Sequence, residues 1–286
     1  MKPLLVLWNG QLLPRTEVQV DLEDRAYQFG DGVYEVIRVY GGQLFLLNPH
    51  LDRLVRSARA IRLDLPWSPS QLANQLRELV AANRLVDGAV YLQVSRGVAP
   101  RAHAFPRASQ PVLVAYPLPA SRPTEAQERG VRATFVEDIR WLRCDIKSLN
   151  LLANVLAKET AVERGAQEAI LHRGETVTEG SASNVFIVQG RVLRTHPANH
   201  LILDGITRRF VLDLAAREGI STVEAPFTRE DLLNADEAFF TSTTQEIVPI
   251  VEVDGHSIGV GVPGPITRKL LRAFHAAVQA TTQQEV

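Results

Sequence analysis

Cysteine, lysine and long apolar segments are scarce in this chain of 286 residues. Its single cysteine, Cys144, excludes an intrachain disulfide. No apolar run is long enough to span a bilayer, and the N-terminus reaches a polar turn too soon for a signal peptide. The formal net charge of -1 gives no strong attraction to nucleic acid or to an acidic membrane. We therefore expect a cytoplasmic protein whose partners are small molecules or a second copy of itself.

Strand-like and helical segments alternate along the chain, which predicts an α/β or α+β fold. The length is typical of two domains. Three prolines within Pro-Leu-Pro-Ala-Ser-Arg-Pro mark a stiff stretch without hydrophobic periodicity. The predicted organisation is a smaller N-terminal α/β domain at 1–117, a linker at 118–125 and a larger C-terminal domain at 126–286.

Three sequence patterns that often mark functional sites are not supported by the residues around them. A Gly-x-Gly-x-x-Gly run at 259–264 resembles a dinucleotide fingerprint, but it contains a proline and too little chain follows for a βαβ unit. His196 and His200 have an i, i+4 spacing, yet the proline after His196 argues against a helix that aligns both on one metal. Cys144 lies in an apolar and basic stretch, which favours a buried, inert thiol. We predict no metal site.

Lysine chemistry has few candidates, because only four of the 31 basic residues are lysines: Lys2, Lys147, Lys158 and Lys269. Lys147 precedes Ser148-Leu149-Asn150, polar candidates for capping the following helix, and so is expected at a loop-to-helix junction. A partly desolvated lysine loses its proton more easily, and the free amine forms a Schiff base with an aldehyde cofactor. The alternative is an ordinary exposed lysine.

An aldehyde cofactor of this kind needs an anion for its ring nitrogen and a cradle for its phosphate. Glu179 is expected in a hydroxyl-rich turn before a strand, where an exposed glutamate without a function is the alternative. The sequence predicts a helix that begins at 205–207, and free N–H groups at a helix start bind phosphate. Residues 241–244 are expected to end a strand with hydroxyl donors, and Arg53 is a further candidate for the phosphate.

The segment 96–106 is predicted to be an irregular loop with Arg101 and His103 close together. An arginine fork matches a carboxylate, and histidine can add a second donor. A solvated surface loop is the alternative.

Several runs together resemble the D-amino acid aminotransferases, a class IV, fold-type IV group of pyridoxal-phosphate enzymes. The most specific is Ile-Arg-Trp-Leu-Arg-Cys-Asp-Ile-Lys-Ser-Leu-Asn at 139–150. The others lie at 23–35, 101–103, 178–181 and 242–244, so the resemblance covers nearly the whole chain in order.

The resemblance implies a ping-pong transaminase that passes the amino group of a D-amino acid, such as D-alanine, to a 2-oxo acid. It implies that Lys147 carries pyridoxal 5'-phosphate as a Schiff base and moves the proton, and that Glu179 pairs with the ring nitrogen. The residues implied for the phosphate are Arg53, Ile206, Thr207, Ser242 and Thr243. Those implied for the substrate carboxylate are Tyr34, Arg101 and His103. In this family the arginine and histidine come from the second subunit, which implies a homodimer with shared sites.

Two positions depart from the family pattern. Ala182 replaces a hydroxyl residue, and Arg38 stands where a lysine is expected near the rim of the active site. The alternatives within the fold are a branched-chain L-amino acid aminotransferase, an (R)-amine transaminase and an aminodeoxychorismate lyase. A non-catalytic cofactor-binding protein is the alternative outside enzymes. The Arg101-x-His103 loop favours the D-amino acid interpretation over the three enzymes.

Overall fold

A computed structural model describes residues 4–283, which form two compact units. The first unit contains the described chain up to Ser121, the short segment Ile146–Asn150 and the described residues from Ala280 onward. The second contains Arg122–Asp145 and Leu151–Gln279. Both units combine sheet and helix, which confirms the predicted mixed α/β class. No helix within 4–283 has the length and apolar character needed to cross a membrane.

The described part of the first unit contains a six-stranded sheet with the order β2-β1-β6-β5-β3-β4. Its strands are β1 (Leu5–Trp8), β2 (Gln11–Pro14), β3 (Gly32–Tyr40), β4 (Gln43–Leu44), β5 (Gly88–Ser95) and β6 (Val112–Leu118). Its helices are α1 (Arg25–Phe29), α2 (Leu47–Ala60) and α3 (Pro69–Asn83). Helix α3 begins with a capping box between Ser68 and Gln71, which stabilises its start.

Strand β3 places one charged residue among buried aliphatic side chains. Val33, Ile37 and Val39 alternate along the strand and are buried in the apolar core of the unit. Glu35 occupies the same face and is fully buried, so a carboxylate stands in a row of aliphatic side chains. A buried carboxylate requires partners, because the loss of its hydration is costly.

The described part of the second unit contains a nine-stranded sheet with the order β12-β11-β10-β13-β14-β7-β8-β9, and β15 pairs with β14. Its strands are β7 (Val131–Glu137), β8 (Glu168–Arg173), β9 (Thr176–Gly180), β10 (Asn184–Gln189), β11 (Val192–Thr195), β12 (Thr222–Glu224), β13 (Glu237–Ser242), β14 (Glu246–Val253) and β15 (His256–Ser257). Its helices are α4 (Thr124–Arg129), α5 (Leu152–Glu163), α6 (Ile206–Arg217), α7 (Arg229–Leu233) and α8 (Pro265–Gln283), and α8 belongs to this unit as far as Gln279.

Two local predictions are wrong. Glu179 was expected in a turn before a strand, but it lies within β9, because Thr176–Gly180 pairs with β8. The polar residues after Lys147 were expected to cap the next helix, yet α5 has Leu151 as its N-cap, without a side-chain cap. Asn150 instead donates from Nδ2 to the Gly30 carbonyl over 3.1 Å. A long-range contact has replaced the local cap.

Candidate active site

Lys147 is fixed by backbone contacts within the first unit. The segment Ile146–Asn150 lies against the start of β3, where the Tyr34 N–H donates to the Lys147 carbonyl over 3.1 Å. The Lys147 N–H donates to the Ser57 hydroxyl of α2 over 3.2 Å. Gly32 permits this approach, because a Cβ there would lie 2.7 Å from Leu149 Cδ1 and 2.5 Å from the Val94 carbonyl oxygen. The backbone around Lys147 is therefore held from two sides.

The Lys147 amine differs from the other described lysines. Its Nζ lies 4.1 Å from the centroid of the Tyr34 ring, and it makes no hydrogen bond or ion pair within residues 4–283. Lys158 donates to the Gln167 carbonyl, and Lys269 donates to Glu218. Lys2 lies outside the described residues. Lys147 is thus half-buried, with its amine available to a ligand.

A buried charge cluster surrounds Glu35. Arg53 donates from Nε and Nη2 to the two oxygens of Glu35, each over 2.8 Å, and His50 Nδ1 lies 2.7 Å from Glu35 Oε2. Burial raises the pKa of Glu35, but the charge and hydrogen bonds of Arg53 and the hydrogen bond of His50 outweigh it and lower the value to about 2. Burial lowers the pKa of His50, against the pull of Glu35. The structure therefore places Arg53 as a fixed cation.

The predicted carboxylate-binding loop is irregular, as expected, and Arg101 and His103 are both exposed. Arg25 holds the loop, because its Nη1 donates to the Ala102 carbonyl over 2.6 Å. The Arg101 guanidinium lies 5.0 Å from the centroid of the Phe29 ring, and neither it nor the His103 ring makes a hydrogen bond or ion pair among the described residues. Their donors remain available to a carboxylate.

In the second unit, Glu179 is buried at 4% exposure and accepts three hydrogen bonds. Arg140 Nη1 donates to Oε1, while Asn184 Nδ2 and the Leu203 N–H donate to Oε2 over 3.0 Å each. Burial raises the pKa of Glu179, and the Arg140 charge acts in the opposite direction. A carboxylate has about four lone-pair sites. One acceptor position of Glu179 therefore lacks a donor within residues 4–283.

Arg140 is itself held by Asp138, which accepts from its Nε over 2.9 Å and from its Nη2 over 2.8 Å. Arg173 donates to Asp138 over 3.0 Å. Burial raises the pKa of Asp138, but the Arg140 hydrogen bonds and charge lower it to about 2. Two carboxylates and two guanidiniums thus form a balanced network, in which Glu179 is the member with an open acceptor position.

Helix α6 begins where the sequence predicts, and it presents the N–H groups of a helix start. Gly205 is its N-cap and provides no side-chain cap, and Ile206 and Thr207 in the first turn are buried. The first N–H groups of a helix have no acceptor inside it. An anion is therefore a suitable partner for this turn.

Strand β13 also ends as predicted, at Ser242, and leads into half-buried Thr243 and Thr244. The Ser242 hydroxyl accepts from the Gln245 N–H over 3.2 Å. The hydroxyl of Thr241 is buried and has no hydrogen-bond partner within the described residues. Such an unsatisfied buried group is uncommon and is typical of a place where a ligand binds.

The two departures lie in different surroundings. Ala182 is exposed in the turn after β9. Arg38 is buried, and its Nη1 donates to the carbonyls of Gly88 over 2.5 Å and Ala120 over 2.6 Å. The Arg38 guanidinium is therefore bound to backbone carbonyls of its own unit.

The class IV aminotransferase family model matches residues 32–253. The chain belongs to the class IV aminotransferases. The D-alanine aminotransferase of Bacillus licheniformis is 50% identical over 281 residues, which are 98% of this chain and 99% of that protein. The branched-chain amino acid aminotransferase of Escherichia coli has a similar structure, with a TM-score of 0.92, 27% identity and coverage of 99% and 97%. That of Thermobaculum terrenum in its PLP form has a TM-score of 0.86, 29% identity and coverage of 97% and 94%. The predicted family is confirmed.

Four residues of this class IV aminotransferase contact the candidate site residues but were given no role by the sequence reasoning. Glu35 and His50 adjoin Arg53, while Arg140 and Asn184 adjoin Glu179. Only Glu35 left a signal in the sequence, as a charge on the face of β3 that is otherwise formed by Val33, Ile37 and Val39.

Proposed function

We propose that this chain is a D-amino acid aminotransferase, which passes the amino group of a D-amino acid such as D-alanine to a 2-oxo acid such as 2-oxoglutarate or pyruvate. The observation that carries the proposal is its near full-length similarity to D-alanine aminotransferases. The reaction follows a ping-pong course, because one site receives the amino group from the first substrate and gives it to the second.

The cofactor is pyridoxal 5'-phosphate, and the donor and acceptor groups of the chain fit it. Glu179 offers a buried acceptor position to the ring N–H, and the start of α6 and the unpartnered Thr241 hydroxyl suit a phosphate. When bound, the cofactor supplies an electron sink for the α-carbon of the substrate. Ile206, Thr207, Ser242 and Thr243 are proposed to bind the phosphate.

Lys147 is proposed to carry the cofactor as a Schiff base through Nζ. Its amine makes no hydrogen bond or ion pair in the described chain, which leaves it available as a nucleophile. Once free, the same amine would move the proton of the substrate α-carbon, and the bound cofactor would supply the electron sink for that transfer. The other described lysines are bound to carbonyl groups.

Charge and hydrogen bonding support the remaining proposed roles. Glu179 holds the proton on the ring nitrogen, and Arg140 stabilises the charged form of Glu179. Arg53 is proposed as the cation for the phosphate, with Glu35 fixing the orientation of its guanidinium. A bidentate pair restricts an arginine more than a single hydrogen bond does.

Tyr34, Arg101 and His103 are proposed to bind the α-carboxylate of the substrate. Arg101 and His103 are exposed and have no hydrogen-bond partner among the described residues, so their N–H groups are available to a carboxylate. An arginine fork gives a planar, two-pronged contact that fixes the carboxylate. The amino group of the substrate then has one orientation.

The working form is proposed to be a homodimer with shared active sites. Leu152, Val155 and Leu156 lie at i, i+3 and i+4 on α5 and are all exposed. A row of large apolar side chains on one helix face is typical of a protein interface. The chain is proposed to act in the cytoplasm, where its buried single thiol stays reduced; burial raises the pKa of Cys144 to about 11.

The test uses the purified holoenzyme, mixed separately with D-alanine, L-alanine, L-leucine and (R)-1-phenylethylamine. With D-alanine we expect the absorption of the bound cofactor to change to that of the pyridoxamine form, with release of pyruvate. An unchanged spectrum with all four compounds would indicate a non-catalytic binding protein. A response to L-leucine or to the amine alone would indicate another aminotransferase of this fold.

A further inference from the structure

We propose that Asn184 is a positioning residue that fixes two parts of the cofactor site together, the Glu179 carboxylate and the start of α6. The inference rests on the proposed function, because Glu179 and α6 are the groups assigned to the cofactor ring and phosphate. Asn184 is the first residue of β10 and is only 5% exposed. Its side chain acts through its neighbours.

The amide nitrogen of Asn184 connects Glu179 to the segment before α6. Nδ2 donates to Glu179 Oε2 over 3.0 Å and to the Leu203 carbonyl over 2.8 Å. The Leu203 N–H donates to the same Glu179 oxygen over 3.0 Å. The amide, the carboxylate and one backbone residue therefore form a closed set of three hydrogen bonds. Glu179 cannot rotate without breaking a contact to the chain that leads into α6.

The amide oxygen of Asn184 restricts the backbone at the start of α6. A Cβ at Gly205 would lie 2.1 Å from Asn184 Oδ1, so the backbone at Gly205 packs directly against this oxygen. Gly205 is the N-cap of α6, and the N–H groups that follow it are those proposed for the phosphate. Asn184 thus contacts the ring end of the site with its nitrogen and the phosphate end with its oxygen.

A second observation points to a ligand at this place. Asn184 pairs in register with Thr241 on the antiparallel strand β13, so the two side chains share a face of the sheet. The Thr241 hydroxyl is buried without a partner in the described part of the chain. Strand β13 then leads into Ser242 and Thr243, the other residues proposed for the phosphate. Asn184 therefore lies among the groups assigned to the cofactor.

An amide suits this position because it is neutral. An aspartate would put a second negative charge beside Glu179, and one of the two carboxyl groups would then hold a proton at higher pH. A leucine would have a similar size but would leave Glu179 with one donor fewer in a buried place. Both substitutions are expected to change the protonation of the ring nitrogen of the cofactor. Substitution of a purely structural residue would not have that effect.

The experiment compares Asn184→Leu and Asn184→Asp with Thr195→Val in the holoenzyme. Thr195 is a matched control, since it is also buried and its hydroxyl donates to the Val185 carbonyl over 2.8 Å, not to Glu179 or to the segment before α6. The apparent dissociation constants for pyridoxal 5'-phosphate and for pyridoxal, which lacks the phosphate, are measured along with melting temperature. We expect Asn184→Leu to weaken pyridoxal 5'-phosphate binding about 10- to 100-fold. The loss should be smaller with pyridoxal, and Thr195→Val should lower only the melting temperature.

Coupling to Glu179 is measured by a double-mutant cycle with Glu179→Gln. Asn184→Leu should lower cofactor affinity less in that background, because the carboxylate that it positions is gone. Asn184→Asp should lower cofactor affinity by a factor that becomes smaller as the pH falls. This variant is used for the test if Asn184→Leu does not fold. Additive effects, or Asn184 variants that match Thr195→Val, would overturn the inference while leaving the proposed function intact. A wild type that neither binds the cofactor nor converts D-alanine would instead refute the proposed function.

Discussion

His50 is the residue at which burial and pH are most directly linked. Burial lowers its pKa below the ordinary value of 6.5, so the folded state keeps it neutral where the unfolded chain binds a proton. The unfolded state then binds more protons, and stability must rise with pH through the window just below 6.5. His50→Gln should therefore flatten the dependence of stability on pH in that window.

The measurement is the free energy of unfolding in urea at pH values on both sides of 6.5, without cofactor. Burial also lowers the pKa of His196, so some slope should remain in the variant. His256→Gln is the control, because His256 is exposed. If His50→Gln retains the full slope of the wild type, the burial of a neutral His50 is not what links stability to pH.

Arg101 decides how a substrate carboxylate is recognised. A hydrogen bond to a charged group contributes roughly 1.5 to 3 kcal/mol, so Arg101→Ala should lower kcat/KM for D-alanine about 10- to 150-fold. Arg101→Lys should recover only part of the loss, because a point charge lacks the planar fork. An amine substrate without a carboxylate should lose little.

The rates to compare are kcat/KM for D-alanine and for (R)-1-phenylethylamine in wild type, Arg101→Ala and His103→Ala, given a detectable wild-type amine rate. Equal losses for both substrates would mean that the loop supports the fold or the dimer. The carboxylate would then be bound elsewhere.

The importance of a single residue could be predicted from the sequence when the residue belongs to a motif. It could not be predicted when the residue acts through a contact with a residue far away in the sequence. Lys147 and Glu179 stand inside recognisable runs of sequence, and their roles remain predictions to be tested. His50 joins Glu35 across 15 positions of sequence, and Arg140 joins Glu179 across 39. Periodicity and local motifs carry no information on such pairs.

Among elements, the start of α6 gives the sharpest prediction. Gly205 has φ -67° and ψ 136°, which alanine can adopt, so its requirement for glycine comes from space alone. The added Cβ would meet Asn184 Oδ1 at 2.1 Å, and Asn184 is anchored by its own hydrogen bonds. Gly205→Ala should cost about 1 to 3 kcal/mol through overpacking and shift the first turn of α6.

Cofactor affinity and apoenzyme stability are the two measurements for Gly205→Ala. We expect affinity for pyridoxal 5'-phosphate to fall by more than the affinity for pyridoxal, because the displaced N–H groups are those proposed for the phosphate. Equal losses for the two ligands would argue that α6 does not bind the phosphate.

Long elements with clear periodicity were predictable from the sequence, and short ones were not. The apolar spacing predicts helices at 69–84, 206–218 and 265–280, and α3, α6 and α8 lie there. The end of strand β9 was interpreted as a turn because Glu179 stands in a hydroxyl-rich run with a glycine, and the pairing with β8 makes this segment a strand. Strand β14 contains the β-branched run Ile-Val-Pro-Ile-Val, but a proline inside such a run argues against a central strand, and the sequence reasoning did not predict one there.

At the scale of the whole molecule, the proposed homodimer makes a prediction for α5. Val155→Arg should weaken association, because a charge would replace an apolar side chain in the middle of the exposed row. Val260→Arg is the control, since Val260 is 88% exposed and lies outside that row. Light scattering should give twice the mass of one chain for wild type and Val260→Arg, and a lower mass for Val155→Arg. Identical masses for all three would place the interface elsewhere or refute the dimer.

The central claim is that one lysine of this chain carries the cofactor. Borohydride reduction of the holoenzyme fixes pyridoxal phosphate to the lysine that holds it, and mass spectrometry of the peptides identifies that residue. We predict the label on Lys147 and none in Lys147→Ala, which should keep its fold and lose turnover. A label on Lys158 or Lys269, or an unchanged label in Lys147→Ala, would contradict the account.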